Sequence, residues 1–119
     1  MTPTTPTAIA IAYFDAWRAR DFAAYRALLA DDATFDGPLG SARSADECVA
    51  GMRGLAEITT DVTIERIFTA GDEDVVTWFL LRTTLAPDAL PVANWTHVEN
   101  GRIAAIRVTF DPRAIAPPR

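Results

Sequence analysis

The sequence predicts an α+β fold in which three N-terminal helices pack against one strongly bent antiparallel sheet. Apolar residues recur with the helical period of about 3.6 in the first half of the chain, and from Thr60 onward they alternate with the period of about 2 that is typical of strands. The dipeptide Asn100-Gly101 stands between two apolar runs and is a strong hairpin signal. Helices followed by a meander of strands are the order expected of an α+β domain.

Two helices are expected at the start of the chain, joined as a helical hairpin. The first runs from an N-cap at Thr7 to about Arg20, and its buried face contains Ile9, Tyr13, Ala16 and Trp17. Asp21 is the N-cap of the second helix, whose buried stripe contains Phe22, Tyr25, Leu28 and Leu29. The short junction between the two caps predicts that these helices are antiparallel neighbours.

A short strand and a third helix follow. Residues 33–36 alternate between apolar and polar side chains, and Gly37-Pro38 then ends the strand. The segment Ser-Ala-Asp-Glu at residues 44–47 is a capping box, the pattern in which a hydroxyl and a carboxylate satisfy the first N–H groups of a helix. The inner stripe of this third helix contains Cys48, Val49, Met52 and Leu55.

The rest of the chain predicts four antiparallel strands at Thr60–Thr69, Val75–Leu85, Leu90–Glu99 and Arg102–Phe110. The second of these strands is apolar on both faces, as a central strand is. A single sheet that bends around helices encloses a conical interior, which is the usual shape of a small-ligand pocket.

Composition limits the classes of partner and chemistry. The chain has 119 residues, enough for one domain, which we place at 8–112 between a disordered lead-in (1–7) and a C-terminal tail (113–119). The net charge is −5 and no basic cluster is visible, which argues against nucleic acid and anionic membranes as partners. All 11 cationic residues are Arg. Without Lys, Schiff-base catalysis is excluded.

The single cysteine, the single histidine and the lack of long apolar runs limit where the protein is expected and which cofactors it could bind. Cys48 is the only cysteine, so no internal disulfide can form and a reducing compartment is favoured. No apolar run approaches the roughly 18 residues of a membrane span, and the first residues lack a signal-peptide pattern. We therefore expect a cytoplasmic protein. His97 has no second imidazole at a ligand spacing, so we expect neither a metal nor another cofactor.

Several stretches resemble the NTF2-like superfamily, and within it the SnoaL-like and ketosteroid-isomerase-like branch. The resemblance lies in their order and spacing: Leu29–Thr34, Pro38–Ser41, Asn100–Ile103 with Ile106, Arg107 and Phe110, and Tyr13 eight residues before Asp21. It extends from about Ile9 to Asp111. It implies a cone-shaped α+β fold that is often dimeric through the outer face of its sheet.

The resemblance also implies a site. Ketosteroid isomerases of this branch use one carboxylate base and an oxyanion hole made by a Tyr and an Asp. Tyr13 falls on the tyrosine, Asn94 on the second oxyanion donor and Gly37 on the base. Asn is a neutral amide donor and can keep that role. Asp36 is a displaced base or ligand contact in one interpretation and a solvated carboxylate in the other, because strand alternation points it away from the face of Gly37.

The residues expected to bind a substrate are apolar or small: Trp17, Phe35, Gly37, Met52 and Trp78. Tyr13 and Trp17 share a helix face, and Phe35 and Gly37 share a strand face. For Trp17, core packing and pocket lining are equally good interpretations.

If Asn94 points inward, Trp95 and His97 lie on the outer face of the sheet. An outward Trp there predicts an apolar patch that a second copy of the chain covers in a homodimer. We expect an isomerase, cyclase or hydrolase that acts on a small apolar compound carrying a carbonyl or epoxide, without the isomerase activity typical of the family because residue 37 is Gly. The alternative is a ligand-binding or dimerisation module without catalysis.

Overall fold

Three helices and six strands make up the part of the chain that the structure, a computed structural model, describes: residues 5–115. Their order is α1 (Pro6–Ala19), α2 (Phe22–Ala27), β1 (Leu29–Gly37), β2 (Gly40–Ala42), α3 (Ala45–Ile58), β3 (Thr59–Ala70), β4 (Asp74–Thr83), β5 (Leu90–Glu99) and β6 (Arg102–Thr109), followed by a 3₁₀ turn at Pro112–Ala114. The α+β class is confirmed. Residues 1–4 of the predicted lead-in and 116–119 of the predicted tail lie outside the described residues.

The first helix starts two residues earlier than the sequence analysis placed it. The hydroxyl of Thr5, not of Thr7, accepts the capping hydrogen bond from the N–H of Ala8, at 3.1 Å. Pro6 then occupies the first helical position, where its missing N–H removes a donor that would have no helical partner. At the other end, Arg20 adopts φ 54° and donates to the carbonyl oxygens of Ala56 and Thr59, both at 3.0 Å.

The second helix is shorter than predicted. It ends at Ala27, and Leu29, which was expected on its buried stripe, instead opens β1 and is fully buried there. The N–H of Ile103 in β6 donates to the carbonyl oxygen of Leu28 at 2.8 Å, so pairing with a distant strand ends the helix. The local apolar spacing carried no information about that pairing.

The sheet is mixed, and this corrects the antiparallel sheet that was expected. Its strand order is β2-β1-β6-β5-β4-β3. The four strands from β3 to β6 form the predicted antiparallel meander, but β1 lies parallel to β6. The unpredicted strand β2 forms a hairpin with β1. Only α1 and α2 precede the sheet, because α3 follows β2, so "three N-terminal helices" describes the chain only roughly.

The helices cover the concave face of this sheet. Register shifts in the β3–β4, β5–β6 and β1–β6 pairs add local twist and bend the strands around the helices. Phe14 and Trp17 of α1 pack on Phe79 of β4, with ring centroids 4.9 and 5.7 Å away. Ser44 caps α3 as predicted, its hydroxyl accepting from the N–H of Glu47 at 3.1 Å, while the Glu47 carboxylate accepts from the N–H of Arg43, one residue before the cap. Among residues 5–115, no helix combines the length and the apolar character that a bilayer crossing requires.

The convex face of the sheet carries a row of exposed apolar side chains. Phe68, Val76 and Trp95 are register partners on β3, β4 and β5, and Arg107 of β6 continues the row with its guanidinium 6.0 Å from the Trp95 ring centroid. Trp95 is 44% exposed, as an outward residue should be.

We propose that this row is the contact surface of a homodimer. Trp95→Arg is expected to place a charge in that contact and to convert the dimer to a monomer. Sedimentation equilibrium at micromolar concentration measures the change. Ile11→Arg, at a residue of similar exposure on α1, is the control and should leave the mass unchanged. A monomeric wild type would contradict the proposal.

Candidate functional site

A cavity of about 380 Å³ lies between the concave face of the sheet and the helices. Its wall is mainly aliphatic and aromatic. The structure brings together six of the eight residues that the sequence analysis assigned to the site: Tyr13, Trp17, Phe35, Gly37, Met52 and Asn94. Asp36 and Trp78 are not in the cavity wall.

Three buried polar residues form one corner of the cavity. Tyr13 comes from α1, Tyr25 from α2 and Asn94 from β5, and each is at most 2% exposed. The two tyrosine rings are 5.1 Å apart between centroids. Burial raises the pKa of Tyr13 to about 12, and its side-chain hydrogen bonds with Tyr25 and Asn94 act in the opposite direction. The Tyr13 hydroxyl is therefore protonated at neutral pH and is a hydrogen-bond donor.

Tyr13 and Tyr25 affect each other's acidity across this corner. Burial is the largest cause of the raised pKa of Tyr25, and the neighbouring Tyr13 raises it further. Both hydroxyls are therefore protonated at neutral pH, and each has a proton to donate.

Tyr25 was not among the residues assigned to the site. The sequence analysis placed it on the buried stripe of the second helix. The signal that could have assigned it to the site is that it is a tyrosine. A buried Tyr normally needs a hydrogen-bond partner for its hydroxyl, and Tyr13 on the preceding antiparallel helix was the nearest candidate.

A side chain that serves as a base at residue 37 would fit only if the ring of Phe35 moved. A Cβ atom at this position would lie 3.1 and 3.2 Å from two ring carbons of Phe35. Both residues are on the cavity face of β1, as period-2 alternation predicted. The Phe35 ring therefore occupies the volume next to residue 37.

Asp36 lies outside the cavity, which corrects its assignment as a displaced base. Its carboxylate is held by two guanidinium groups, those of Arg43 and Arg107, the second at 3.3 Å. Alternation along β1 turns it away from the face of Phe35 and Gly37. It joins β1 to β6 and to the segment before α3.

Trp78 is also outside the cavity, and its assignment to the substrate-binding set is wrong. It is 42% exposed on the convex face, while Phe79 and Leu81 of the same strand line the cavity. Apolar residues on both faces of β4 concealed the alternation that separates Trp78 from them.

Glu47 is the one carboxylate among the described residues of the cavity wall. It is exposed, and its Oε1 accepts from the N–H of Arg43 at 2.9 Å, so it is engaged at the start of α3. Cys48 lines the wall as well. Burial raises the pKa of its thiol, which makes it a thiol at neutral pH and a poor nucleophile.

His97 lies on the outer side of the sheet, as predicted, in an acidic cluster. Its Nδ1 is 2.7 Å from Oδ1 of Asp74, which also accepts from Nε1 of Trp95 at 2.8 Å. Glu73, Glu99 and His97 offer ligand atoms within 4.8 Å of one another. Glu73 is in the turn before β4, which sequence spacing could not relate to His97. Exposed acidic groups of this kind are common without an ion, and this cluster is remote from the cavity wall.

This cluster makes stability depend on pH. The hydrogen bond with Asp74 raises the pKa of His97, with smaller contributions from Glu99 and Glu73, and Trp95 and His97 lower the pKa of Asp74. The contribution of the pair is therefore fully present below about pH 6.5, the unfolded value for His, and declines as pH rises through the folded pKa of His97. It also declines in acid, as pH falls through the folded pKa of Asp74.

We expect the melting temperature of wild type to exceed that of His97→Gln by more at pH 6 than at pH 9. Thermal denaturation followed by circular dichroism measures the difference. In an Asp74→Asn background the same substitution should give a difference that changes less with pH, because only the smaller contributions of Glu99 and Glu73 then remain. An equal difference at both pH values in the wild-type background would contradict the prediction.

Comparison with known proteins adds the family and the fold. The model of the SnoaL-like domain matches residues 10–106. No curated protein matches the sequence. Among solved structures, a Kribbella flavida protein superposes with a TM-score of 0.85 at 26% identity, over 94% of this chain and 91% of that one. A Mycobacterium tuberculosis LEH-like epoxide hydrolase gives 0.77 at 24% identity, over 95% and 89% of the two chains. A steroid delta-isomerase from Pseudomonas aeruginosa gives 0.77 at 21% identity, over 90% and 80%.

Proposed function

The chain belongs to the SnoaL-like family, and we propose that it is an enzyme that binds a small apolar carbonyl compound in its cavity and polarises the carbonyl oxygen with the Tyr13 hydroxyl. The reaction class is isomerisation or cyclisation. The observation that carries the proposal is the buried polar corner, Tyr13 with Tyr25 and Asn94, in an otherwise mainly apolar wall.

This corner has the features of an oxyanion site. Tyr13 has side-chain hydrogen bonds with Tyr25 and Asn94, which fix its hydroxyl, and burial keeps that hydroxyl protonated so that it can donate. A positioned donor that needs no reorganisation stabilises negative charge on a substrate oxygen as it develops, and removal of one such donor typically costs about 10²–10³ in kcat.

Chemistry at a carbonyl α-carbon also needs an acceptor for the proton. Residue 37 is Gly, Asp36 is paired with arginines outside the cavity, and Glu47 is engaged at the helix start. Two kinds of substrate suit this arrangement. One is a carbonyl compound that loses its acidic proton to water, and the other is a compound that closes a ring by attack on its own polarised carbonyl. Epoxide hydrolysis fits less well, because it needs a group that activates water.

A binding module without catalysis is the second candidate. The lack of a free carboxylate among the described residues of the cavity wall favours it. Both candidates require that the cavity binds carbonyl compounds. They differ in whether Tyr13 acts as an oxyanion donor, which a base introduced at residue 37 would reveal as activity.

Gly37→Asp is expected to gain isomerase activity on 3-cyclohexenone, a β,γ-unsaturated ketone whose conjugated product is followed by ultraviolet absorption. A positioned base contributes about 10²–10⁴ in rate. Because the new Cβ would lie 3.1 Å from the Phe35 ring, the variant is also made together with Phe35→Leu, which frees that space.

Gly37→Asn, with the same shape and no base, is the matched control and should gain nothing. Adding Tyr13→Phe to Gly37→Asp should remove most of the gain. If Gly37→Asp and its Phe35→Leu derivative fold and bind the ketone but gain no activity, Tyr13 is not placed as an oxyanion donor. If wild type already isomerises the ketone at the rate of the variant, another base acts, and Glu47→Gln is the substitution that tests it.

A further inference from the structure

The amide oxygen of Asn94 is a buried acceptor that the protein does not use. Asn94 is 2% exposed, and its Oδ1 has no hydrogen-bond partner among residues 5–115. A buried polar atom without a partner destabilises the folded chain, and in native structures it normally has a function or a ligand. Asn94 belongs to the cavity wall, so this buried acceptor lies next to the space that a ligand would fill.

Three other polar groups of the wall are already engaged. Nε1 of Trp17 donates to the hydroxyl of Thr59 at 3.2 Å, and Sγ of Cys48 is 3.7 Å from the carbonyl oxygen of Ala33. Glu47 accepts from the backbone at the start of α3. None of these groups is directed to the Asn94 oxygen, so its natural partner is a donor on a bound molecule.

The free acceptor lies beside a free donor. Because Oδ1 of Asn94 has no partner among residues 5–115, its side-chain hydrogen bond with Tyr13 runs from the amide N–H to the Tyr13 oxygen. That orientation leaves Oδ1 of Asn94 and the proton of Tyr13 available side by side. A carbonyl compound that lacks a donor would use the Tyr13 proton and leave Oδ1 buried without a partner.

We propose that Asn94 is a specificity residue and that the cavity selects ligands carrying an N–H or O–H donor next to their carbonyl, as in a lactam or an α-hydroxy ketone. The ligand donor binds Oδ1 of Asn94, and the ligand carbonyl accepts from Tyr13. This inference rests on the proposed function, since it names the substrate class of the same cavity.

Calorimetric titration with two probes tests the selection. The first probe is 2-quinolone, a flat lactam with adjacent N–H and C=O groups, and the second is N-methyl-2-quinolone, which keeps the carbonyl and lacks the donor. Wild type should bind the first about tenfold more tightly, the ratio that about 1.4 kcal/mol gives. The isomer 4-methyl-2-quinolone has the volume of the second probe and the donor of the first, and it should bind like 2-quinolone.

Two variants assign the preference to Asn94. In Asn94→Leu the preference should disappear, because the acceptor is replaced by an apolar side chain of similar size. In Tyr13→Phe both probes should bind more weakly by the same factor, since both carry the carbonyl, and the preference should persist.

The outcomes separate the inference from the proposed function. Equal binding of 2-quinolone and its N-methyl derivative by wild type overturns the inference and leaves carbonyl binding in the cavity intact. A preference that survives Asn94→Leu also overturns it, because another acceptor must then bind the N–H of the probe. If none of the three probes binds, the inference and the proposed use of the cavity fail together.

Discussion

The parallel pairing of β1 with β6 is the constraint on which the rest of the structure depends. It joins the helical start of the chain to its last strand, and Leu29, Ile103 and Ile106 at this seam are fully buried. Each such side chain contributes about 1.5–3 kcal/mol through burial. The pairing ends α2, extends the sheet beyond its meander and turns Phe35 and Gly37 toward the helices. Without it the concave face would have no wall at β1.

The cavity formed in this way separates two kinds of polar group. Carboxylates near it are engaged at the periphery: Asp36 binds two arginines, and Glu47 accepts from a backbone N–H. The polar groups inside are hydroxyl and amide, which are neutral at physiological pH. Burial of a charged group in the apolar interior would be costly without a partner. A neutral donor and a neutral acceptor can be held there at much lower cost and can be used by a ligand.

The sequence predicted what local patterns determine. The capping box at Ser44, the Asn100-Gly101 hairpin and the four strands of the meander follow from short-range spacing, and the structure has them. The parallel seam was missed because pairing between residues some seventy positions apart, such as Asp36 with Arg107, leaves no local pattern. The short strand β2 was missed for another reason: Gly37-Pro38 was interpreted only as the end of a strand and not as the start of a hairpin. The resemblance placed Asn94 inward and period 2 then placed Trp95 outward, whereas the alternation was not recognised for Trp78 because both faces of β4 are apolar.

The identity of residue 94, an Asn, affects how the cavity corner can bind a ligand, and the position of the residue alone did not predict this. A resemblance to ketosteroid isomerases gives Asn94 the part of a second donor beside Tyr13. In the structure the amide N–H of Asn94 bonds to the Tyr13 oxygen, and the amide oxygen has no partner among residues 5–115. An Asp that is protonated in its place can donate through its O–H, whereas Asn in this orientation presents an acceptor. The substitution of an acid by an amide therefore changes which atom a ligand must present, from an acceptor to a donor, while the donor from Tyr13 stays the same.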